Sequence, residues 1–315
     1  MSRIRIAVIG GGANSEHDVS LASASSIRAA LTADRYEVHA LTITRNGGWV
    51  DGAGHSLLVA EVVAVLQSCD VAFPAVHGPR GEDGALAAIL DFVGVPYVGS
   101  GLAAGALAMD KWATKLVAEA AGVPTSGGEV VTADTSVPDP GMPVIVKPIA
   151  GGSSFGVTRV DTRDDLPAAI SAALAHDSRA MIEPFIEGRE VDIAVLKRAD
   201  GTRLLSAPLE IVVDGGLFDT ESKYDGSADL RVPARVTPAE LAALERSALI
   251  VFDALGCDGV ARVDFFLTDQ GLVLNEVNTM PGMTGQSQVP RMFAAVGLDY
   301  PSLLDELVAA AFTRR

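Results

Sequence analysis

The stretch RVDFFLTDQGLVLNEVN, residues 262–278, has the composition of two buried β-strands joined by a turn, yet both strands carry charged and polar residues. We place the turn at Asp269-Gln270-Gly271, where the glycine supplies the positive φ of a three-residue hairpin loop. Unless a bulge shifts the register by one, pairing is then symmetric about Gln270, and alternation puts four polar side chains on one face of the hairpin. They are Arg262 opposite Asn278 and Asp264 opposite Glu276.

The opposed carboxylates of Asp264 and Glu276 would repel each other and destabilise a sheet. A divalent cation removes this repulsion, and two carboxylates with the neighbouring asparagine amide form the oxygen set that Mg²⁺ prefers, with phosphate oxygens completing its shell. The alternative, a solvent-facing polar hairpin edge, leaves the repelling pair unexplained. The same alternation predicts that Phe266, Leu272 and Leu274 pack nearer the turn on that face.

The bulk composition limits the classes of function. The chain has 315 residues, enough for two or three domains, and 49% of them are apolar. Its net charge of −16 argues against nucleic-acid and anionic-membrane partners, because both demand a basic surface. Cys69 and Cys257 make neither a disulfide framework nor a metal knuckle, and the N-terminal apolar run breaks at glycines rather than at a cleavage site. We therefore expect a reduced, cytoplasmic protein.

Strands alternate with helices over the first hundred residues, which is typical of a parallel sheet with right-handed crossovers. A second unit starts near Leu102, and a third contains the opening hairpin. We predict an α/β chain with domains at 1–101, 102–186 and 187–315. The predicted strands include 95–99, 144–148, 180–186, 189–197 and 203–212.

The segment VIVKPIAGGSSFGV, residues 144–157, delivers Lys147 at the end of a buried strand and continues into a Gly/Ser loop. Such a loop lets backbone N–H groups approach anionic oxygens closely. It is not a Walker A loop, since no G-K-[ST] follows. The loop alone is equally a plain turn, but a buried-strand lysine followed by such a loop indicates phosphate binding.

Three other loops allow both a functional and a structural interpretation. GGGANSEHDVS (10–20) fails as a dinucleotide fingerprint at Ser15, and it presents Glu16 or merely caps the next helix through Asp18 or Ser15. VHGPRGEDG (76–84) presents a histidine to a ligand, or its acidic pair caps a helix. A third loop follows the predicted strand that contains Glu183, in IEPFIEGRE (182–190). Glu183 either contacts a ligand or forms a salt bridge.

Taken together, the motifs resemble the D-alanine–D-alanine ligases of the ATP-grasp superfamily. The resemblance runs from Ile4 to the last helix, and the stretches SEHDVS, GSSFGV and LNEVNTMPG also resemble the vancomycin-resistance ligases that use D-lactate or D-serine. It implies a three-domain ATP-grasp fold with an N-terminal Rossmann-like sheet, ATP between the second and third domains, and a lid over about 214–231. The motifs, in order, are GGxxSEHDVS, HGxxGEDG, MDK, VIVKP…GSSFGV, IEPFIEGxE, SKY, ARVDFFL and NEVNTMPGMT.

The resemblance implies ATP contacts from the second and third domains. Glu183 would meet the adenine amino group, and Glu190 would bind the ribose hydroxyls. The other implied contacts are those of Phe185 and Ile186 with the adenine slot, of Lys111 and Lys147 with the phosphates, and of Ser153, Ser154 and Lys223 with the nucleotide.

The resemblance also implies the metal and reaction groups. Arg262 would stabilise the transferring phosphate and the oxyanion, Gly282 would donate a backbone N–H to that oxyanion, and His77 would sit near the nascent acyl phosphate. The implied ligands of two Mg²⁺ ions, which Mn²⁺ could replace, are Asp264, Glu276 and Asn278.

Substrate contacts follow in the same way. Glu16 would bind the ammonium of the first D-alanine, and Ser153 would link Glu16 to Tyr224, which shares a mobile lid with Lys223. Ser287 would bind the carboxylate of the second substrate.

The residue after Ser287 bears on the acceptor. It is Gln288, where the D-alanine-adding enzymes typically carry leucine and the D-lactate enzymes a basic residue. A polar side chain there raises D-serine or another small amino acid as acceptor, whereas Tyr224 argues against D-lactate, because those enzymes carry a histidine-bearing lid.

The leading hypothesis is an ATP-dependent ligase that joins two D-alanines through an acyl phosphate for peptidoglycan precursor synthesis, with homodimerisation as a family expectation. The alternative is a D-Ala–D-Ser or other D-Ala–X ligase in resistance or antibiotic production. A non-catalytic nucleotide sensor predicts losses among the metal and phosphate residues, and none is missing. A nicotinamide dehydrogenase fails at Ser15.

Overall fold

The computed structural model describes residues 2–135, 139–212 and 229–313 and contains three β-sheets with flanking helices. Most of the predicted lid, with Lys223 and Tyr224, lies outside the described residues. Within the described part of the chain, no helix combines the length and apolar character needed to cross a bilayer.

The N-terminal sheet has the strand order β4-β3-β2-β1-β5. Strand β1 pairs in parallel with β2 and β5, while β3 and β4 add an antiparallel edge. The predicted strand 95–99 forms only an isolated bridge between Ala72 and Tyr97. The elements are β1 (Ile4–Gly11), α1 (His17–Ala30), β2 (Tyr36–Ile43), β3 (Trp49–Asp51), β4 (Ser56–Leu57), α2 (Val59–Ser68), β5 (Val71–Pro74) and α3 (Ala85–Val93).

The central part is an antiparallel sheet of order β6-β9-β7-β8 covered by one helix, α6. Two helices precede it. Asp110 separates them, and its carboxylate accepts the Ala113 N–H at 2.8 Å as the N-cap of the second helix. The elements are α4 (Leu102–Met109), α5 (Lys111–Ala120), β6 (Glu129–Val131), β7 (Val144–Pro148), β8 (Thr158–Val160), a 3₁₀ turn (Arg163–Asp165), α6 (Leu166–Leu174) and β9 (Ala180–Pro184).

The C-terminal part is an antiparallel sheet of order β13-β12-β10-β14-β15, with β11 also paired to β10. The predicted strand 203–212 is interrupted at residues 206–208, so it forms two strands. The elements are β10 (Arg189–Lys197), β11 (Arg203–Leu205), β12 (Leu209–Val212), β13 (Asp229–Arg231), α7 (Pro238–Ala254), β14 (Val260–Thr268), β15 (Gly271–Asn278), α8 (Gln288–Ala294) and α9 (Tyr300–Ala311).

The hairpin of β14 and β15 has the expected polar pairs but a shorter turn. Arg262 lies opposite Asn278 and Asp264 opposite Glu276, as predicted. The turn has two residues rather than three, because Thr268 pairs with Gly271. A bulge beside Asp264 takes up the difference.

The bulge changes which side chains share a face. Asn275 is the extra residue, so Leu274 pairs with Phe265 and Leu272 with Leu267 on the opposite face. The prediction that Leu272 and Leu274 lie beside the polar residues is therefore wrong, while Phe266 does lie on the polar face and lines the cavity described below.

Each sheet draws its strands from one of the predicted segments, 1–101, 102–186 and 187–315. Their boundaries stay a prediction. One apolar core joins the N-terminal sheet to α8, α9 and β10, so the first and last parts of the chain pack together. A second core lies between the β10–β14–β15 face and helices α4, α5 and α7.

We expect Phe265→Ala to lower the free energy of unfolding by about 3–5 kcal/mol, because it leaves a cavity in the second core. Phe265 is completely buried, whereas Phe92 on α3 is 93% exposed and provides a matched control. Phe92→Ala should change the free energy of unfolding by no more than about 0.5 kcal/mol. Urea denaturation measures both, and equal effects would contradict the placement of Phe265.

Candidate active site

Three carboxylates stand opposite one another on neighbouring strands. Asp192 of β10 pairs with Asp264 of β14, which pairs with Glu276 of β15. Directly opposed residues share a sheet face, so the three form a ladder across the sheet. On the next rung Arg262 stands beside Asn278. We call Asp192, Asp264 and Glu276 the carboxylate ladder.

Cationic groups balance two members of the carboxylate ladder. Arg262 donates from Nε to Asp264 Oδ1 at 2.7 Å and from Nη2 to Oδ2 at 2.6 Å, and Asn278 Nδ2 donates to the same Oδ2 at 2.9 Å. The Lys111 ammonium lies 3.2 Å from Glu276 Oε2. Burial alone would lower the pKa of Arg262, but the Asp264 charge outweighs it and raises that pKa. The repulsion expected from the sequence is therefore offset by these two cations.

The donor set fits a magnesium ion that brings phosphate ligands of its own. Among residues 2–135, 139–212 and 229–313, no cluster of three or more His, Cys, Asp or Glu side chains is arranged as a ready metal cage. Asp264, Glu276 and Asn278 offer two carboxylates and one amide on one face. Mg²⁺ is commonly bound by one or two carboxylates together with substrate phosphates.

A cavity of about 540 Å³ opens between the central and C-terminal sheets. Its walls mix charged groups with an apolar slot, and Arg159 covers the Phe185 ring at 4.2 Å. Nine of the predicted site residues line it: Lys111, Lys147, Ser153, Ser154, Glu183, Phe185, Ile186, Glu190 and Glu276.

The glycine loop at one end of this cavity has an unusual backbone. Ser153 and Ser154 have φ angles of 53° and 58°, in the left-handed region that serine rarely adopts. Strain of this kind is retained where the surroundings fix it, commonly at ligand sites. Lys111 Nζ donates to the Gly151 carbonyl at 2.6 Å and so ties α5 to the loop.

Glu183 forms a buried ion cluster at the side of the cavity. Its carboxylate lies 2.7 Å from Lys115 Nζ and 2.5 Å from Lys147 Nζ, and it accepts from the Ser126 hydroxyl at 2.9 Å. Burial alone would raise the pKa of Glu183, but the two ammonium groups outweigh it and lower that pKa to about 2. Of the two predicted roles of Glu183, ligand contact or salt-bridge partner, its contacts in this structure are therefore those of a salt-bridge partner.

Glu16 connects the N-terminal sheet to the glycine loop. Ser153 Oγ donates to Glu16 Oε1 at 2.7 Å. A Cβ at Gly78 or Gly152 would come within 2.4 or 2.6 Å of Glu16 Oε2, so a side chain at either position would displace this carboxylate. Glu16 is the N-cap residue of α1 but its side chain does not cap, and the predicted alternative of capping by Asp18 or Ser15 is wrong.

His77 and Glu82 hold the loop that follows β15. His77 Nδ1 donates to the Met280 carbonyl at 2.7 Å, so its Nε2 accepts from the Ser23 hydroxyl at 2.8 Å. Glu82 accepts the Met280 N–H at 3.0 Å and the Gly78 N–H at 3.2 Å. Burial lowers the pKa of His77, which keeps the ring neutral, and burial raises the pKa of Glu82 to about 7.

The predicted acceptor residues lie at the start of α8. Ser287 Oγ accepts the Thr284 N–H at 3.0 Å, and a Cβ at Gly282 would lie 3.1 Å from that oxygen. Gln288 Oε1 accepts a hydrogen bond from Arg262 Nη1. Gln288 is therefore in direct contact with Arg262, the arginine that binds the carboxylate ladder.

Sequence reasoning missed four residues of this region. Asp192 could have been noticed as a charge in the apolar strand REVDIAVLK, but only the strand pairing reveals its neighbours. Lys115 lies one helical turn after Lys111 and so shares its helix face. Asn275, which accepts from Lys147 Nζ at 3.3 Å, enters the cavity through the bulge, and the bridging role of Glu82 depends on a distant loop.

We expect Glu183→Gln to flatten the acid side of the stability profile. The pKa of Glu183 is lowered from 4.5 to about 2, so its contribution to stability is present above pH 4.5 and is lost as the pH falls towards 2. The variant should also lose about 3–5 kcal/mol at pH 7, because two buried lysines lose their partner.

Urea unfolding between pH 3 and 7 measures both effects, and Glu129→Gln, at an exposed position of β6, is the matched control. An unchanged acid limb in Glu183→Gln would contradict the ion cluster.

The chain matches known proteins over nearly its whole length. The models for the D-ala D-ala ligase N-terminus and C-terminus match residues 5–62, 53–100 and 127–309. The D-alanine–D-alanine ligases of Mycolicibacterium gilvum and Mycobacterium tuberculosis are 42% and 41% identical, over 99% of this chain and 98% and 96% of theirs.

Two solved structures have a closely similar fold. The VanG D-Ala:D-Ser ligase of Enterococcus faecalis has a TM-score of 0.86 at 31% identity, covering 98% of this chain and 100% of that one. The Bacillus anthracis D-alanine–D-alanine ligase complexed with ATP has a TM-score of 0.82 at 28% identity, covering 98% and 97%. The chain belongs to the D-alanine–D-alanine ligase family, an ATP-dependent ligase family with the ATP-grasp fold.

Proposed function

We propose that this protein joins two D-alanine molecules in an ATP-dependent reaction that supplies peptidoglycan precursors. The observation that carries the proposal is the hydrogen bond from Ser153 to Glu16. Ser153 lines the cavity between the two antiparallel sheets, and Glu16 belongs to the loop after β1. The contact supports the proposal because it holds the Glu16 carboxylate beside the cavity, and an amino-acid ligase needs a carboxylate for the substrate ammonium next to its nucleotide.

In the proposed complex ATP fills the cavity. Its adenine packs in the slot of Phe185 and Ile186, with Glu183 facing the amino group and Glu190 the ribose. The phosphates extend past Lys147 and Lys111 towards Glu276, because Lys147 Nζ lies 3.3 Å from Asn275 Oδ1 and Lys111 Nζ lies 3.2 Å from Glu276 Oε2. Two Mg²⁺ ions, when bound by Asp264, Glu276 and Asn278, would screen the charge of the phosphates.

The reaction needs an activated carboxylate. A carboxylate is a poor electrophile, and phosphorylation of the first D-alanine by ATP makes it an acyl phosphate with a good leaving group. The amine of the second D-alanine then attacks the carbonyl carbon and phosphate leaves. Arg262 and the Gly282 N–H would stabilise the oxyanion, since preorganised donors favour the transition state over the ground state.

Substrate positions follow from the same arrangement. Glu16 would hold the ammonium of the first D-alanine, and Ser287 the carboxylate of the second. His77 already donates to a backbone carbonyl and accepts from Ser23, so we assign it to positioning of the loop near the acyl phosphate rather than to proton transfer. An acyl phosphate hydrolyses in water, so we propose that the segment 214–231, with Lys223 and Tyr224, closes over the site.

One observation favours a second acceptor. Gln288 is polar and accepts from Arg262, so its amide N–H groups can donate to an acceptor with a hydroxyl group. D-serine carries such a hydroxyl, and the VanG enzyme, which has a similar fold, is named a D-Ala:D-Ser ligase. A D-Ala–D-Ser ligase is therefore the alternative.

The proposal includes the three-domain division at 101/102 and 186/187, a cytoplasmic location, and a homodimer without nucleic-acid or membrane partners. Size-exclusion chromatography with light scattering tests the homodimer. A mass of one chain, 32.5 kDa, at micromolar concentration would contradict it.

We expect phosphate release from ATP with D-alanine as the only amino acid, because the same molecule can fill both positions. Adding D-serine should then leave the main product as D-alanyl-D-alanine, measured by mass spectrometry. No turnover with D-alanine alone, but turnover with D-alanine and D-serine together, would replace the leading proposal with the alternative. A panel that includes D-lactate completes the test.

We expect Glu276→Gln to lower kcat by on the order of 100-fold or more, since a lost metal charge costs several kcal/mol of transition-state stabilisation. The fold should persist, because Glu276 is a partly exposed side chain at 22% relative accessibility. Thermal unfolding checks this, and Glu129→Gln serves as the charge-matched control. Wild-type turnover in Glu276→Gln would remove Glu276 from the metal site.

A further inference from the structure

Asp192 is the one member of the carboxylate ladder for which the function proposed above gives no role. Its side chain is completely buried in the middle of β10. Among the described residues neither carboxylate oxygen has a hydrogen-bond partner. Its nearest cation is Arg262, whose Nε lies 3.5 Å from Asp192 Oδ2.

A buried carboxylate without hydrogen bonds is costly, and natural structures seldom keep one. The residues on either side of Asp192 along the same face, Glu190 and Ala194, show that this position lies between the cavity and the apolar core. Nothing about strand formation requires an acid there. The free-energy cost of burying this carboxylate therefore indicates that Asp192 gains a hydrogen-bond partner in another state of the site.

The contacts of Asp264 indicate that this other state is the metal-bound one. Its two oxygens already accept from Arg262 Nε, Arg262 Nη2 and Asn278 Nδ2. A metal ion on the same carboxylate would meet the guanidinium as a second cation at very short range, and like charges repel strongly at such distances. A metal ion on Asp264 therefore weakens the hold of this carboxylate on Arg262.

We propose that Asp192 is the second anchor of Arg262, which receives the guanidinium when Asp264 turns to the metal. The inference rests on the metal site proposed above. The present distance of 3.5 Å to Nε needs to shorten by less than about 1 Å to reach charge-assisted hydrogen-bond length. Gln288 holds Nη1, so the guanidinium pivots without leaving the sheet face.

Asp192 is thus a positioning residue. It keeps Arg262 beside the position of the phosphate and the oxyanion. It also draws the Arg262 guanidinium away from Asp264, where the guanidinium competes with the metal ion. Without its charge the guanidinium stays on Asp264, and metal binding must displace it into a site with no counter-charge. Metal affinity is then lowered through Arg262, not through loss of a metal ligand.

The test is a binding measurement on the full chain. Mn²⁺ affinity is measured by electron paramagnetic resonance of free Mn²⁺ with a non-hydrolysable ATP analogue, for the wild type, Asp192→Asn, Arg262→Met and the double variant. We expect Asp192→Asn to weaken Mn²⁺ binding by about 10-fold in the wild-type background. In the Arg262→Met background the same step should change affinity by less than about 2-fold, because the two residues act as one unit.

Asp91→Asn provides the control, since it removes one negative charge at an exposed position of α3. It should bind Mn²⁺ like the wild type. Thermal unfolding without metal checks folding, and Asp192→Ser replaces Asp192→Asn if the amide variant does not fold.

The outcomes separate this inference from the proposed function. Wild-type chain that does not bind Mn²⁺ with the analogue overturns the metal site and this inference together. Normal binding in the wild type with unchanged binding in Asp192→Asn overturns this inference alone. An equal loss in both backgrounds also overturns it, because Asp192 would then act as a ligand or through its charge without Arg262.

Discussion

Electrostatic repulsion between carboxylates on three neighbouring strands is the constraint around which the C-terminal sheet is organised. A row of Asp192, Asp264 and Glu276 cannot persist beside an apolar core unless cations approach it. Arg262 comes from the same strand as Asp264, whereas Lys111 comes from α5, before the central sheet. The charges that would destabilise the sheet thus bring the first turn of α5 to its face, and the cavity forms where the two meet.

The N-terminal sheet is attached to this face by short polar contacts. The Met280 N–H and C=O are both held by side chains from the loop after β5, those of Glu82 and His77. Glu16 reaches the glycine loop on the other side through Ser153. Gly78 lies between these contacts with a φ of +72°, and a Cβ there would come within 2.4 Å of Glu16 Oε2. These hydrogen bonds therefore tie the proposed substrate residues Glu16 and His77 to the glycine loop and to the loop that follows β15.

The alternation of residues along a strand predicted those parts of the site that lie within one hairpin or one strand. The pairs Arg262–Asn278 and Asp264–Glu276 follow from alternation, because both strands are adjacent in sequence. The sequence allowed a bulge but did not place it at Asn275, since one extra residue reverses the faces of Leu272 and Leu274 without changing composition or length. Asp192 and Lys115 were not predicted for another reason. Asp192 contributes to the site through Asp264 and Lys115 through Glu183, and each of these partners lies about seventy residues away in the sequence.

Arg262 also connects the two halves of the reaction. It is held on one side by the carboxylate ladder and on the other by Gln288, at the start of α8. In the proposed complex the acceptor pocket and the phosphate site would therefore share a side chain, so a substitution at Gln288 would change more than the shape or polarity of the pocket. Replacing the amide by an aliphatic group leaves Nη1 without this acceptor and shifts the balance of Arg262 between Asp264 and Asp192. Acceptor choice and the rate of the chemical step are then coupled, because one guanidinium serves both.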